Sequence, residues 1–258
     1  KVLFQPDADQ RLVIETELSR TIRDTGVDNS GLIEAAQAEL QAAGGSVYDL
    51  AINQSGVIRA TGVSHKDGRV LLTSSGGDLN LSGELSAQNA DGSGGEVLVG
   101  GAYQGSDPAI ANAANVVVEA TARIDVSAQG DADAGRAIVW SDGQTDFHGQ
   151  INGQGGALGG DGAFVEVSGK QIVNYYGQAD LTAAFGKTGS LLLDPGKAII
   201  STATDDTTNG VFNNAVLASN LGTANVTVNA SQYGDFSTNA LGEIIVDAPV
   251  TWTAATTL

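Results

Sequence analysis

The chain has 258 residues, a formal net charge of −18 at pH 7, 35 glycines, 4 prolines, and neither cysteine nor methionine. That charge excludes the basic footprint of a nucleic-acid binder and disfavours anionic lipid. The missing cysteines exclude a disulfide framework and a thiolate metal site, while 41% hydrophobic content is enough for a core.

In chain order, Lys1-Val-Leu-Phe-Gln-Pro shows no signal peptide and reads as mid-chain text, so a segment of a longer protein is expected. Leu12-Val-Ile-Glu-Thr16 alternates as a strand. From Glu34 to Ala43 the Ala/Gln/Glu content and the spacing of Ala35, Ala38, Leu40 and Ala42 predict a short helix, ended by Gly44-Gly45.

From there a phrase recurs. Gly68-Arg-Val-Leu-Leu-Thr-Ser74, Gly95-Glu-Val-Leu-Val-Gly-Gly101, Gly135-Arg-Ala-Ile-Val-Trp-Ser141, Gly162-Ala-Phe-Val-Glu-Val-Ser168 and Gly189-Ser-Leu-Leu-Leu-Asp-Pro195 open at steps of 27, 40, 27 and 27. A second phrase, Gly-x-apolar-x-small, runs in phase with it through Gly31, Gly56, Gly83, Ala122, Gly149 and Gly177. Both place one insertion of about a dozen residues between Gly95 and Gly135. A fixed period of this size marks a repeat architecture.

In the second phrase Ile33, Ile58, Leu85, Ile124 and Ile151 line one face, with Glu34, Arg59, Ser86, Asp125 and Asn152 facing away. Period-two alternation is a half-buried strand. Each unit resolves into three such strands, which cannot bury their apolar faces alone and must stack. The expected fold is an all-β, right-handed parallel β-helix of about 27 residues per coil. We expect an entry coil over 1–30, regular repeats over 31–196 with the insertion near 101–114, and a less regular continuation over 197–258.

In the first phrase two neighbouring rows are apolar. An inward Glu166 would be costly, which turns Phe164 and Glu166 outward and puts Leu71, Leu98, Ile138, Val165, Leu192 and Trp140 inside. The outward apolar row then needs a cover. The insertion is the candidate, with a helical turn after Pro108, lying near Val97, Val99 and Val139. Beyond Pro195 the beat is lost. Residues 211–221 suggest a helix, Val226–Val228 and Ile244–Val246 suggest strands, and Trp252 begins another.

Gly94-Gly-Glu-Val-Leu-Val-Gly-Gly-Ala-Tyr-Gln-Gly105, Ala137-Ile-Val-Trp-Ser-Asp142, Phe164-Val-Glu-Val-Ser-Gly-Lys170 and Leu191-Leu-Leu-Asp-Pro195 resemble the exoproteins of two-partner secretion, the filamentous-haemagglutinin-like adhesins. The resemblance covers roughly residues 30–258. It implies a β-helical filament, exported through an outer-membrane transporter partner to the bacterial surface or medium, and used in attachment, aggregation or binding of biofilm matrix glycan. The family's secretion domain, with its Asn-Pro-Asn motifs, is not in this segment, so transporter recognition is not assigned to these residues.

Chemistry is sparse. Gly186-Lys-Thr188 lacks the earlier glycine of a phosphate-binding loop, since Leu181 stands there. Gly159-Gly-Asp-Gly162 hints at a calcium-binding roll, but Phe164 replaces the expected Asp; a loose Ca²⁺ site among Asp131, Asp133 and Asp161 competes with ordinary turn carboxylates. No cofactor is expected. His65 and His148 lack metal spacing, and His148 is placed at a coil corner. Asp205-Asp206 imitates the carboxylate pair of β-helical polysaccharide-degrading enzymes, which is the alternative function; the leading expectation is not an enzyme. Tyr103, Tyr175, Tyr176 and Tyr233 are candidates for sugar-binding faces, Tyr103 foremost.

Overall fold

A computed structural model describes residues 2–4, 11–16, 26–42, 50–63, 67–204, 210–230 and 242–258, the first two stretches by backbone alone. The strands form sheets of nine, six and nine members. Every named pairing is parallel except that of Val2–Phe4 with Arg11–Thr16. As far as Asp194 the chain is a parallel β-helix whose coils each give one strand to each sheet.

The six-stranded sheet shows why the units stack. Its strands are Leu32–Ala35, Val57–Thr61, Glu84–Gln88, Arg123–Asp125, Gln150–Asn152 and Gln178–Asp180. Their register sets Ile33, Ile58, Leu85, Ile124, Ile151 and Ala179 in one column, as the phrase requires. All but Ile33 are buried. Burying each large member stabilises the coil by about 2 kcal/mol. The outward column carries Glu34, Arg59, Ser86, Asp125 and Asn152, with Arg59 Nη1 3.3 Å from Glu34 Oε1.

The helix expected over 34–43 does not form. Strands Leu32–Ala35 and Gln37–Ala42 occupy it as far as residue 42, the last described there. Gln37–Ala42 pairs with Arg11–Thr16 on one side and Arg69–Ser74 on the other. Ala38, Leu40 and Ala42 are buried with period two. Neighbouring coils supply ladder bonds and burial that outweigh a helix propensity worth only tenths of a kcal/mol per residue. Gly44 and Gly45 lie outside the described residues.

A second correction concerns the first phrase. Its sheet contains Arg69–Ser74, Glu96–Val99, Arg136–Ser141, Phe164–Gly169, Ser190–Asp194 and Asn225–Val228. Val70, Val97, Ala137, Val165 and Leu191 stack in one column and belong to the main core. Leu71, Leu98 and Ile138 stack in the next column and form, with Trp140, a separate apolar cluster on the outer face. The row expected inside is therefore outside; only Val165 of that set points in. The slip arises at Gly162. Arg136 pairs with Phe164, so the position equivalent to Gly135 is Ala163, one residue on. The methyl of Ala163 fits because residue 153 is glycine, where a Cβ would collide with it.

After Asp194 the path changes. Strand Lys197–Ser201 is displaced one place along its sheet, and Val211–Asn213 comes back to lie between it and Ile172–Tyr175. Helix Asn214–Asn220 then takes the place of the next strand of the six-stranded sheet. The Asn213 side chain caps it by accepting from the N–H groups of Ala215 and Val216. Asn220 Oδ1 accepts from Ala179 N–H (2.8 Å) and from the buried Tyr175 hydroxyl (3.0 Å), closing that sheet's edge. Strands Asn225–Val228 and Glu243–Val246 agree with expectation, but Trp252 lies in irregular chain.

Candidate functional site: the strapped face and its arginine ladder

The insertion is a strap closed at its base. The chain leaves the sheet after Val99, and Ala113 N–H donates back to the Gly100 carbonyl at 2.7 Å. Inside, a 3₁₀ turn spans Tyr103–Gly105. The helical turn thus precedes Pro108 instead of following it. At Pro108 the chain makes a tight turn fixed by Asp107, whose carboxylate accepts from Ala109 N–H (2.9 Å) and whose carbonyl accepts from Ile110 N–H (3.1 Å).

The strap covers apolar surface, though not the expected row. Ile110 and Phe164 pack on Leu71, Leu98, Ile138 and Trp140, while Val97, Val99 and Val139 lie in the main core. Gly105 lies flat on the Trp140 indole: a Cβ there would sit 2.5 Å from Cε2. Asp142 gathers the strap's other end, accepting from Trp140 Nε1 (3.4 Å), Asn112 Nδ2 (3.2 Å) and Lys170 Nζ (2.8 Å) on its Oδ1. Tyr103, 38% exposed, meets Phe164 edge-on with ring centroids 5.8 Å apart.

Glu166 follows Ile138 in the outward column and is fully buried. It does point outward, as expected, but the strap makes that exterior an interior. The Gln104 backbone N–H donates to its carboxylate. Loss of hydration pushes the Glu166 carboxyl up to about 7, with nearby Asp194 adding to the rise; Ser168, the Gln104 N–H and Arg136 oppose it.

Beside the strap runs a column of charged side chains, each following a phrase glycine: Arg69, Glu96 and Arg136 on three successive coils. Arg69 Nε lies 2.6 Å from Glu96 Oε2, and Arg136 binds Glu96 Oε1 through Nε (3.1 Å) and a terminal nitrogen. Gln37 precedes Arg69 in the column and Phe164 follows Arg136. The ladder lines an open cleft of about 650 Å³, to whose lining Asp67 and Asn89 also belong.

The expected binding tyrosines separate. Tyr103 is at the surface beside this ladder. Tyr175 is a correction: it is fully buried, stacked on Phe147 at 5.3 Å, and offers no face to a ligand. Tyr176 is half-buried at a coil corner, stacked at 5.2 Å on His148, far along the chain from the strap. Asp133 and Asp161 serve the turns, accepting from the N–H groups of Asp161 (2.6 Å) and Lys187 (2.8 Å). No metal-sized group of His, Asp and Glu occurs among the described residues. His65, Asp205, Asp206 and Tyr233 lie outside them. Arg69, Glu96 and Arg136 were not singled out from the sequence. Their signal was alternating charge one residue after successive phrase glycines.

No protein-family model matches the chain, and no curated protein matches it.

Proposed function

We propose that this chain is a segment of an extracellular adhesive filament of bacteria, resembling the filamentous-haemagglutinin-like exoproteins, that acts in attachment or in cohesion of a glycan matrix. The observation that carries the proposal is the continuous coil stack. Each coil buries its apolar face on its neighbours, so length can grow without a new core. Such an object holds a rigid, repetitive polar surface along its length, which suits spacing and multivalent contact. The repeat phrases support the family likeness. In that family, export through a transporter partner depends on a domain other than this one.

The test is to delete the chain from its parent protein in the source bacterium and measure surface attachment and cell aggregation. Loss of either, with the remaining protein still at the surface, is the expected result. Unchanged attachment and aggregation would overturn the proposal. Release of reducing sugar from acidic polysaccharide by the purified chain would favour a degrading enzyme instead.

A further inference from the structure

We propose that the Arg69–Glu96–Arg136 ladder binds an extended, carboxylate-bearing polysaccharide lying along the filament axis; this rests on the adhesive reading above and names its ligand class.

The geometry of the column supplies the pattern. Its three residues occupy consecutive coils, so Arg69 and Arg136 stand two strand spacings apart, about 10 Å. In a flat, near-two-fold polyuronate, successive sugars turn their carboxylates to opposite sides. Those on one face therefore recur at every second sugar, over a span close to two coils. The sugar between them presents hydroxyls to the middle rung. An alternating Arg, Glu, Arg column meets that sequence of groups with a donor fork, an acceptor and a donor fork.

The side chains have capacity left after pairing with each other. Glu96 engages Arg69 only through Nε, and Arg136 through Nε and one terminal nitrogen. Among the described residues neither terminal nitrogen of Arg69 has an acceptor, nor has the second one of Arg136. Both side chains reach solvent, at 35% and 48% of their surface. Glu96 holds the Arg136 guanidinium through two hydrogen bonds and pairs with Arg69 by charge, so less rotamer freedom is lost on binding. Beyond Arg136 the column continues into Phe164 with Tyr103 against it, an aromatic platform on which the next sugar can rest. The cleft is open, as a chain-like ligand running past many coils requires.

The test titrates the purified chain with a hexamer of β-1,4-linked mannuronate and, in parallel, with the neutral β-1,4-linked mannose hexamer. Mannuronate is expected to bind at least tenfold more tightly. Arg69→Gln and Arg136→Gln should each weaken it tenfold or more at unchanged melting temperature. Equal binding of the two hexamers, or arginine variants that bind like wild type, would overturn the proposal. If mannuronate fails to bind while deleting the chain still abolishes attachment, the ladder is not the ligand site and the adhesive reading stands.

Discussion

The backbone N–H of Gln104 reaches across 62 residues of sequence to the Glu166 carboxylate, lying 3.3 and 3.2 Å from its two oxygens. Gln104 does so in the left-handed region, at φ 52°, among the described residues the one non-glycine there. This bond ties the strap to the sheet through a carboxyl that burial holds at about 7 instead of its ordinary 4.5. Below pH 4.5 the group is protonated in both folded and unfolded chains. Between 4.5 and 7 the unfolded chain releases its proton while the folded chain keeps it, so stability falls as pH rises; above 7 the loss is complete. The shift corresponds to about 3 kcal/mol. Denaturant melts of wild type and Glu166→Gln from pH 4 to 8 isolate this contribution. The variant should gain on wild type by that amount across the window, and a constant difference would refute the coupling.

Gly105→Ala should destabilise the strap. Residue 105 has φ 57°, and the new methyl would press on the Trp140 indole. Backbone strain of about 1 kcal/mol and overpacking of about 1–3 kcal/mol add. Gly130→Ala has a similar φ of 63° with nothing within 4 Å, so it carries the strain alone. Melting temperatures should rank Gly105→Ala clearly below Gly130→Ala.

Ile124→Asp should break the stack. Ile124 is fully buried between Leu85 and Ile151, where a charge finds no partner and costs several kcal/mol. Asp125→Asn faces solvent and keeps the Oδ1 that accepts from Ser127 N–H at 2.9 Å, so it should shift stability by less than about 0.5 kcal/mol. Thermal melts ranking the two in reverse would place the strand register one residue out.

These contrasts show what the sequence made legible. The Ile33-to-Ile151 column was readable because apolar and polar residues alternate cleanly there. The strapped sheet was not, because both of its faces are apolar and alternation is lost. The phase then hung on one glycine, and Gly162 is not the equivalent of Gly135. The space at Gly153 that admits the Ala163 methyl comes from another strand and leaves no mark in the local text. Glu166 was readable as outward, but its burial was not, since the groups that cover it are some sixty residues earlier in the chain. The ladder was hidden for a related reason: its charges lie next to one another only once coils are laid in register.

Deleting residues 102–112 tests the strap as a cover. The base would survive, because Ala113 N–H still meets the Gly100 carbonyl and the neighbouring strands Arg69–Ser74 and Arg136–Ser141 keep their own ladder with Glu96–Val99. What is lost is the roof over Leu98, Ile138, Trp140 and Phe164, together with the Gln104 donor to Glu166. Trp140 is one of two tryptophans and is fully buried, so its emission should shift to the red and become accessible to a soluble quencher. Binding of a hydrophobic dye should rise. Far-ultraviolet dichroism should keep its strand signal, since the main core lies on the other face of the sheet. The exposed row favours association of chains through that face, so sedimentation should show dimers or larger species at concentrations where wild type is monomeric. Unchanged tryptophan emission and dye binding would mean that the outer cluster is covered by something other than the strap.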